Sequence, residues 1–471
     1  VRLADALGVR AGEVVALAGA GGKTTTLFRL ADELAVRGLR VVTTTTTRLA
    51  QREVDSLPHA LALGFPPELP AGFGALLDAH RHVFVYSRPV EGGKVRGLDA
   101  AWLDAFLVPH PAVDAVLIEA DGARRLPLKA PYPHEPVIPA SATLVVPVAG
   151  LDALGAPLDA AHVYGADVIT GQTGHRPGAP VTPALMAAVL GSPAMGLKGM
   201  PPGARAAVLL NKAADANRVD ARTIARTLLG GPSISRVVIS AAVDASSPAL
   251  EVRRRVPAVV LAAGESKRMG QPKLLLPWGD GSTIIRRVCE TVLTADLVDT
   301  VVVTGARRGA VEAELADLPL RLVHNPQYAE GEMLSSVLAG LDALHADDAA
   351  CLVVLGDQPA LGPGIIHRLL DAYAGGAGRI VAPEYMGRRG HPVLIDRAYW
   401  GALRALPPGG APRDVLRAHP DDVATIPVDA EAVIFDIDTP EDYAQARGAR
   451  ESTYNKGDGY TARRGKGEGD G

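Results

Sequence analysis

Only two cysteines occur in the 471 residues, Cys289 and Cys351, and they stand far apart in apolar contexts. That excludes a disulfide framework and any cysteine-based metal spacing, and makes a reducing compartment the expectation. Long apolar runs are missing as well. The stretch "VRLADALGVRAGEVVALAGAGGK" holds none of the length a signal peptide or a membrane span needs, so the expected setting is cytoplasmic, with no membrane partner. Long runs of like charge are also absent, and a formal net charge of −4 gives no sign of a nucleic-acid surface. No nucleic-acid partner is expected.

What remains is an ordinary globular composition, 48% hydrophobic and 21% charged, with enough chain for two or three domains. Short apolar runs alternate with helical patterns, which predicts α/β architecture. Strands are expected at 14–18, 40–44, 115–118, 144–147, 207–210 and 237–240, with a helix over 24–38 that Gly38 stops. The stretch "SSPALEVRRRVP" (246–257) breaks this rhythm and is expected to be a linker between a domain at 1–245 and one at 258–449. In the second domain strands are expected at 259–262, 300–304, 351–355, 380–382, 393–395 and 433–435. The Gly-rich end, 450–471, is almost without apolar residues and is expected to be a disordered tail.

In the second half, "VVLAAGESKRMGQPKLLLPW" (259–278) runs an apolar strand into a turn with almost no side chains at its tip. Such a turn lets backbone N–H groups approach an anion closely. Leu261, Ala262, Ala263, Gly264 and Ser266 are therefore candidate nucleotide-binding positions. Arg268 suits non-bridging phosphate oxygens and Lys273 acts as a point charge. "CLVVLGDQPAL" (351–361) ends a buried strand in Asp357, at the edge where α/β sheets bind ligands. An Asp there is either a magnesium ligand or a cap. "FDIDTPEDY" offers Asp436 and Asp438; Asp436 is the preferred second metal carboxylate, and Asp438 with Glu441 fits a helix cap.

The whole pattern LAAG-x-S-x-RMG-x-PKLLLP resembles the signature of MobA-like nucleotidyltransferases, specifically the molybdenum-cofactor cytidylyltransferases. Sugar-nucleotide pyrophosphorylases share its LAAG-x-x-x-R core but usually lack the Met-Gly-x-Pro-Lys ending. The resemblance covers roughly 257–447 and implies a Rossmann-like domain that transfers CMP from CTP to a molybdopterin-type cofactor with Mg²⁺. It implies catalytic roles for Arg268, Lys273 and Asp357. It also places Asn325 and Ser336, in "NPQYAEGEMLSSVLAGL", near the base and ribose, although Ser335 and Ser336 equally suit helix N-caps. His391, in Gly-His-Pro, is implied at the border of the substrate pocket.

In the first half, "VVALAGAGGKTTTLF" (14–28) is a strand, a glycine loop and a helix start. Gly22-Lys23-Thr24 supplies a lysine for β/γ-phosphates and a hydroxyl for Mg²⁺. The usual G-x-x-x-x-G-K-[ST] fails because position 17 is Leu, but G-x-x-G-K-T-T fits from Gly19 through Thr25. This short version resembles the loop of Mur-type ligases. "DAVLIEADGARRLPLKAPYPHEPVIP" (114–139) ends an apolar run in Glu119 and Asp121, placed like metal-side acids near a P-loop. Arg124, Arg125, Lys129, His134 and Glu135 follow in a segment too polar for core. "VVTTTTTR" ends a strand in hydroxyls that serve a ligand or decorate the edge. "LLNKAADANR" resembles the guanine-reading N-K-x-D, with Asp215 one residue late. Together these stretches resemble the selenium-dependent hydroxylase accessory family over about 1–245, with ATP or GTP at the loop.

Both resemblances imply maturation of molybdenum hydroxylases, with an apo-hydroxylase as possible partner. Two alternatives stand beside this reading. The acceptor could be a sugar or polyol phosphate, or the first half could be a nucleotide-gated chaperone that inserts finished cofactor.

Overall fold

The computed structural model describes residues 1–244, 246–279, 281–295, 297–330, 332–407 and 409–457, with side chains through residue 448. It forms two compact α/β units, one built on Val1–Arg255 and the other on Val256–Tyr373 and the chain from Ala377.

The first unit carries a nine-stranded sheet in the order Ala249–Arg254, Arg236–Ser240, Arg205–Asn211, Leu144–Gly150, Val14–Gly19, Ala115–Glu119, Val41–Thr45, His82–Tyr86, Ala60–Ala62. All pairs are parallel except the edge pair Arg236–Ser240 with Ala249–Arg254. Continuous apolar runs such as VVALAG and AVLIE are buried on both faces, as a covered parallel sheet requires. Val15 and Leu17 pack under Leu27, Leu30 and Leu34, while Val14 and Ala16 face Phe73 and Leu77. The helix Lys23–Val36 thus buries one stripe at helical spacing, and Gly38, at φ +86°, ends it. A small antiparallel sheet of Arg88–Val90, Lys94–Arg96 and Arg48–Ala50 lies outside the main one.

The second unit's sheet runs Arg321–His324, Thr300–Thr304, Ala258–Ala262, Ala350–Leu355, Val393–Asp396, Ile380–Tyr385, Arg388–Arg389, and Val423–Pro427 pairs with Ile380–Tyr385. Val393–Asp396 is antiparallel to both neighbours, so the sheet is mixed.

In each sheet two adjacent strands send the chain opposite ways: Val14–Gly19 leads to Val41–Thr45 and Ala115–Glu119 to Leu144–Gly150, while Ala258–Ala262 leads to Thr300–Thr304 and Ala350–Leu355 to Ile380–Tyr385. Val14–Gly19 lies between Leu144–Gly150 and Ala115–Glu119, and Ala258–Ala262 lies between Thr300–Thr304 and Ala350–Leu355. At such a point the connecting loops diverge and leave a crevice at the strands' carboxyl ends. Both glycine turns open there.

Three expectations change. Segment 246–257 is not a free linker: it contains the edge strand Ala249–Arg254. Its charged residues are held inside, with Glu251 buried between Arg222, at 2.8 Å, and Arg253, at 2.8 Å. Residues 433–435 form no strand; a 3-10 turn, Glu431–Val433, takes their place. The tail expectation also shifts, since the helix Pro440–Gly457 runs past residue 450, while 458–471 lie outside the described residues.

Candidate functional site

In the second unit the turn after Ala258–Ala262 forms one wall of a cleft of about 370 Å³. Leu261, Ala263, Gly264, Arg268, Lys273, Ser336, Asp357, Asp436 and Asp438 line it, with Tyr328, Glu332 and Met333 opposite. Lys273 is 13% exposed and lies between two carboxylates, 2.5 Å from Asp357 Oδ2 and 2.8 Å from Asp438 Oδ1. Arg268 reaches the other oxygen of Asp438 at 2.7 Å. Burial works against the charged amine, but Asp357 and Asp438 outweigh it and raise the Lys273 pKa. Ser266, held at φ +58°, accepts the Lys273 backbone N–H at 3.2 Å and so fixes the bend that delivers the lysine.

Asp438 corrects the sequence reading, which made it a cap. The helix start is closed instead by Thr439 and Asp442: Thr439 N donates to Asp442 Oδ2 at 2.8 Å, and Asp442 N donates to Thr439 Oγ1 at 3.2 Å. Asp438 is thereby left facing the two cations. Asp436 accepts from Gln358 Nε2 at 2.8 Å. Desolvation and the nearby Asp357 charge raise its carboxyl pKa.

Ala262, Ser266, Asn325 and His391 do not line the cleft. Asn325 is buried behind it, where its amide donates to Ser335 Oγ at 2.9 Å and Ser336 Oγ at 3.0 Å. Neither serine is a free N-cap. Burial lowers the His391 pKa, and its backbone N–H donates to Val433 O at 2.8 Å.

The carboxylates here are hard oxygen donors, the set that suits Mg²⁺, and the Lys273 ammonium occupies the position of a cation between two of them. No group of three or more His, Cys, Asp or Glu among the described residues is placed to hold a metal by itself. A divalent cation held here would need substrate oxygens to complete its shell.

In the first unit, Gly19, Gly21 and Gly22 all have positive φ, at +95°, +80° and +119°. A Cβ on Gly21 would lie 2.0 Å from Gly150 N, so only glycine fits. Lys23, 4% exposed, curls back to donate to Gly19 O at 2.6 Å and lies 3.2 Å from Asp121 Oδ1. Thr24 Oγ1 donates to Glu119 Oε2 at 2.8 Å. Burial raises the Glu119 carboxyl pKa against the pull of Lys23 and Thr24. Asp121 also accepts the Gly19 backbone N–H at 3.1 Å. Gly22, Lys23, Thr24, the exposed Thr25 and Glu119 line a cleft of about 1140 Å³.

Models of two known families match the chain: "YqeC protein" over residues 15–167 and "MobA-like NTP transferase domain" over 258–423. The YqeC protein of Escherichia coli strain K12 is 35% identical over 209 residues, 42% of this chain and 75% of that protein. The nicotine blue oxidoreductase of Paenarthrobacter nicotinovorans is 38% identical over 195 residues, 40% of this chain and 93% of that protein. The molybdenum cofactor cytidylyltransferase of E. coli K12 is 29% identical over 190 residues, 40% of this chain and 94% of that protein. The chain joins a YqeC family half to a MobA-like NTP transferase half. The second half is a nucleotidyltransferase.

In the YqeC half, the reading of the polar segment after Asp121 fails. Lys129 and Glu135, expected outside the core, are 3% and 6% exposed. They bond to each other, Lys129 also lies 3.0 Å from Asp121, and Tyr164 donates to Glu135 at 2.9 Å. Asn211, in the stretch whose Asp215 is one residue late for a guanine reader, braces the glycine loop: Nδ2 donates to Gly21 O at 2.9 Å, and Oδ1 accepts from Ala242 N at 3.0 Å. Asp215 is fully exposed. The threonine run mostly ties strands together, with Thr44 donating to Val85 O, Thr45 to Glu119 O and Thr46 to Val137 O. Only Thr47 of that run reaches the cleft.

In the transferase half, Tyr328, Glu332, Met333 and Gln358 were not legible as site residues. Their only sequence signal was that they lie inside the stretches NPQYAEGEMLSSVLAGL and CLVVLGDQPAL. The two cysteines are buried and free, and burial pushes both thiols up to about 12, which leaves them without reactive thiolate. Among the described residues no helix is long and apolar enough to cross a membrane.

Proposed function

We propose that the transferase half moves CMP from CTP to the phosphate of a molybdopterin-type cofactor and releases pyrophosphate. The observation that carries this reading is Lys273, held between Asp357 and Asp438 beneath the open Gly264 turn. A phosphate oxygen of the acceptor attacks the α-phosphorus, the bond to the bridging oxygen breaks, and pyrophosphate leaves with that electron pair. Little covalent work falls to the protein, so positioning and charge neutralisation carry the rate. Gly264 offers its backbone N–H to the triphosphate. Arg268 and Lys273 turn from their carboxylates towards the charge that builds on the leaving group. Asp357 and Asp436 would hold Mg²⁺, which neutralises phosphate charge when bound. Asn325 sets the serine that faces the ribose, and His391, kept neutral by burial, borders the acceptor side.

For the YqeC half we propose ATP or GTP at the Gly19–Thr25 loop, with Lys23 on the β/γ-phosphates and Thr24 and Glu119 on the metal side. The two halves would serve maturation of a molybdenum hydroxylase, in which joining them raises the local concentration of a shared intermediate. The name of the E. coli cytidylyltransferase relative supports this reading.

The test is incubation of the full chain with molybdopterin and each NTP in turn, with the product identified by mass. The cytosine dinucleotide should dominate. Equal or faster pyrophosphate release with GTP would overturn the donor assignment, and turnover only with sugar or polyol phosphates would overturn the acceptor. The relative named as an oxidoreductase motivates one more arm: consumption of reduced nicotinamide without pyrophosphate release would replace transfer by reduction.

A further inference from the structure

The YqeC cleft is larger and more basic than one nucleotide requires. Single small-molecule sites span about 300–1,000 Å³, and this one measures about 1140 Å³. Beyond the glycine loop its walls carry Arg48, Arg52, Lys94, Arg124 and Arg125. None of these five cations lies within ion-pair distance of a carboxylate among the described residues. Glu119 and Glu135, on the same walls, are each committed to a lysine, and Glu53 is the remaining acid. Lys23, by contrast, has two acids of its own, so nucleotide phosphates meet a lysine that is already provided for.

Backbone geometry singles out two of the five. Arg124 and Arg125 are consecutive and both left-handed, at φ +49° and +64°. Non-glycine residues seldom adopt that conformation, and a pair of them persists only where the surroundings hold it. Here the turn is stapled to the glycine loop: Leu126 N donates to Ala123 O at 2.9 Å, and Gly21 N donates to Leu126 O at 3.2 Å. The other three cations come from the small antiparallel sheet and the helix Gln51–Asp55 that follows its strand Arg48–Ala50. Two separate elements therefore turn uncompensated positive charge into one cleft.

We infer that this wall is a second anion subsite, which takes a phosphate-bearing co-substrate beside the nucleotide on the glycine loop. The inference rests on the nucleotide reading of that loop. Guanidinium forks match phosphate oxygens in pairs, which suits a phosphate monoester or pyrophosphate group better than a lone carboxylate. The Gly21–Leu126 hydrogen bond joins the subsite to the nucleotide loop, so occupation of one orders the other.

Hydrogen exchange on the full chain tests this, because it reads each half separately. Mg·ADP is added to saturation, and inorganic pyrophosphate is then titrated. Pyrophosphate should protect the peptides around 122–127 and 48–52 in the ADP-loaded protein. The double variant Arg124→Gln/Arg125→Gln should raise the half-saturating concentration at least tenfold, while ADP protection of 19–25 shifts less than twofold. The exposed pair Arg52→Gln/Lys94→Gln repeats the test without touching the strained turn. No pyrophosphate protection at 122–127 overturns the inference, as does equal loss of ADP protection, which would place the arginines in the nucleotide site. If ADP leaves 19–25 unprotected, the nucleotide reading fails, and the pyrophosphate response at 122–127 still decides the subsite.

Discussion

Replacing Lys273 by methionine keeps most of the length of the side chain and removes its charge from between Asp357 and Asp438. Two effects follow. In the reaction, the loss of one preorganised electrostatic donor typically costs about 10²–10³ in rate. In the role proposed for it the lysine acts on charge that builds in the transition state, so kcat and kcat/KM should fall together, with KM for the nucleotide nearly unchanged. In the resting protein, breaking a fully buried ion pair costs about 3–5 kcal/mol. Lys273 is 13% exposed and its partners 17% and 26%, so solvent screens part of this and about 1–3 kcal/mol is expected. The pH dependence has a definite sign. With the lysine gone, Asp436, whose carboxyl pKa burial and the Asp357 charge already raise, loses a neighbouring charge that lowers it, and that pKa rises further. Such groups contribute most at low pH and lose that contribution as pH climbs through the folded values. The variant should therefore approach wild-type stability near pH 4 and fall away towards pH 7. Steady-state pyrophosphate release and urea unfolding at the two pH values measure both effects. Transfer within fivefold of wild type, or a loss confined to KM, would refute the role given to Lys273.

Lys23→Ala should abolish nucleotide binding by the YqeC half, read by equilibrium titration, and leave cytidylyl transfer within twofold, since sites without shared partners act additively to about 0.5 kcal/mol. Gly21→Ala places a Cβ 2.0 Å from Gly150 N at a φ of +80°. Overpacking and left-handed strain together should destabilise that half by about 2–5 kcal/mol in denaturant unfolding. His82, buried beside Thr43 at 2.8 Å, has its pKa lowered by burial from 6.5 to about 4. Below about pH 6.5 the unfolded chain takes a proton that the folded one refuses, so the half should lose about 3 kcal/mol as pH falls to about 4. His82→Gln should flatten that slope, as read by hydrogen exchange of the strand His82–Tyr86.

Local order was legible because it is written over a few adjacent residues. The glycine loop at Gly19, the helix from Lys23 to Gly38, the LAAG turn and the strand that ends before Asp357 each need only apolar runs, small residues and a stop signal. Family resemblance added names to those same stretches. Charge was harder to place, because whether a charged residue is inside or outside depends on partners that the chain brings from elsewhere. Glu251 read as linker until Arg222 came to neutralise it, and Lys129 and Glu135 read as surface until Asp121 and Tyr164 closed around them.

The division between Asp436 and Asp438 followed the same rule. By sequence Asp438 with Glu441 made a plausible cap, which left Asp436 as the metal-side carboxylate. Thr439 and Asp442 took the capping role, and that freed Asp438 for Arg268 and Lys273, which stand 170 and 165 positions away in the chain. The sequence by itself therefore determined two glycine turns, each at the end of a strand. Only the tertiary structure decided which carboxylates face them and that Asn211 braces the first, because a charge or an amide settles where desolvation is offset, and that depends on contacts between distant segments.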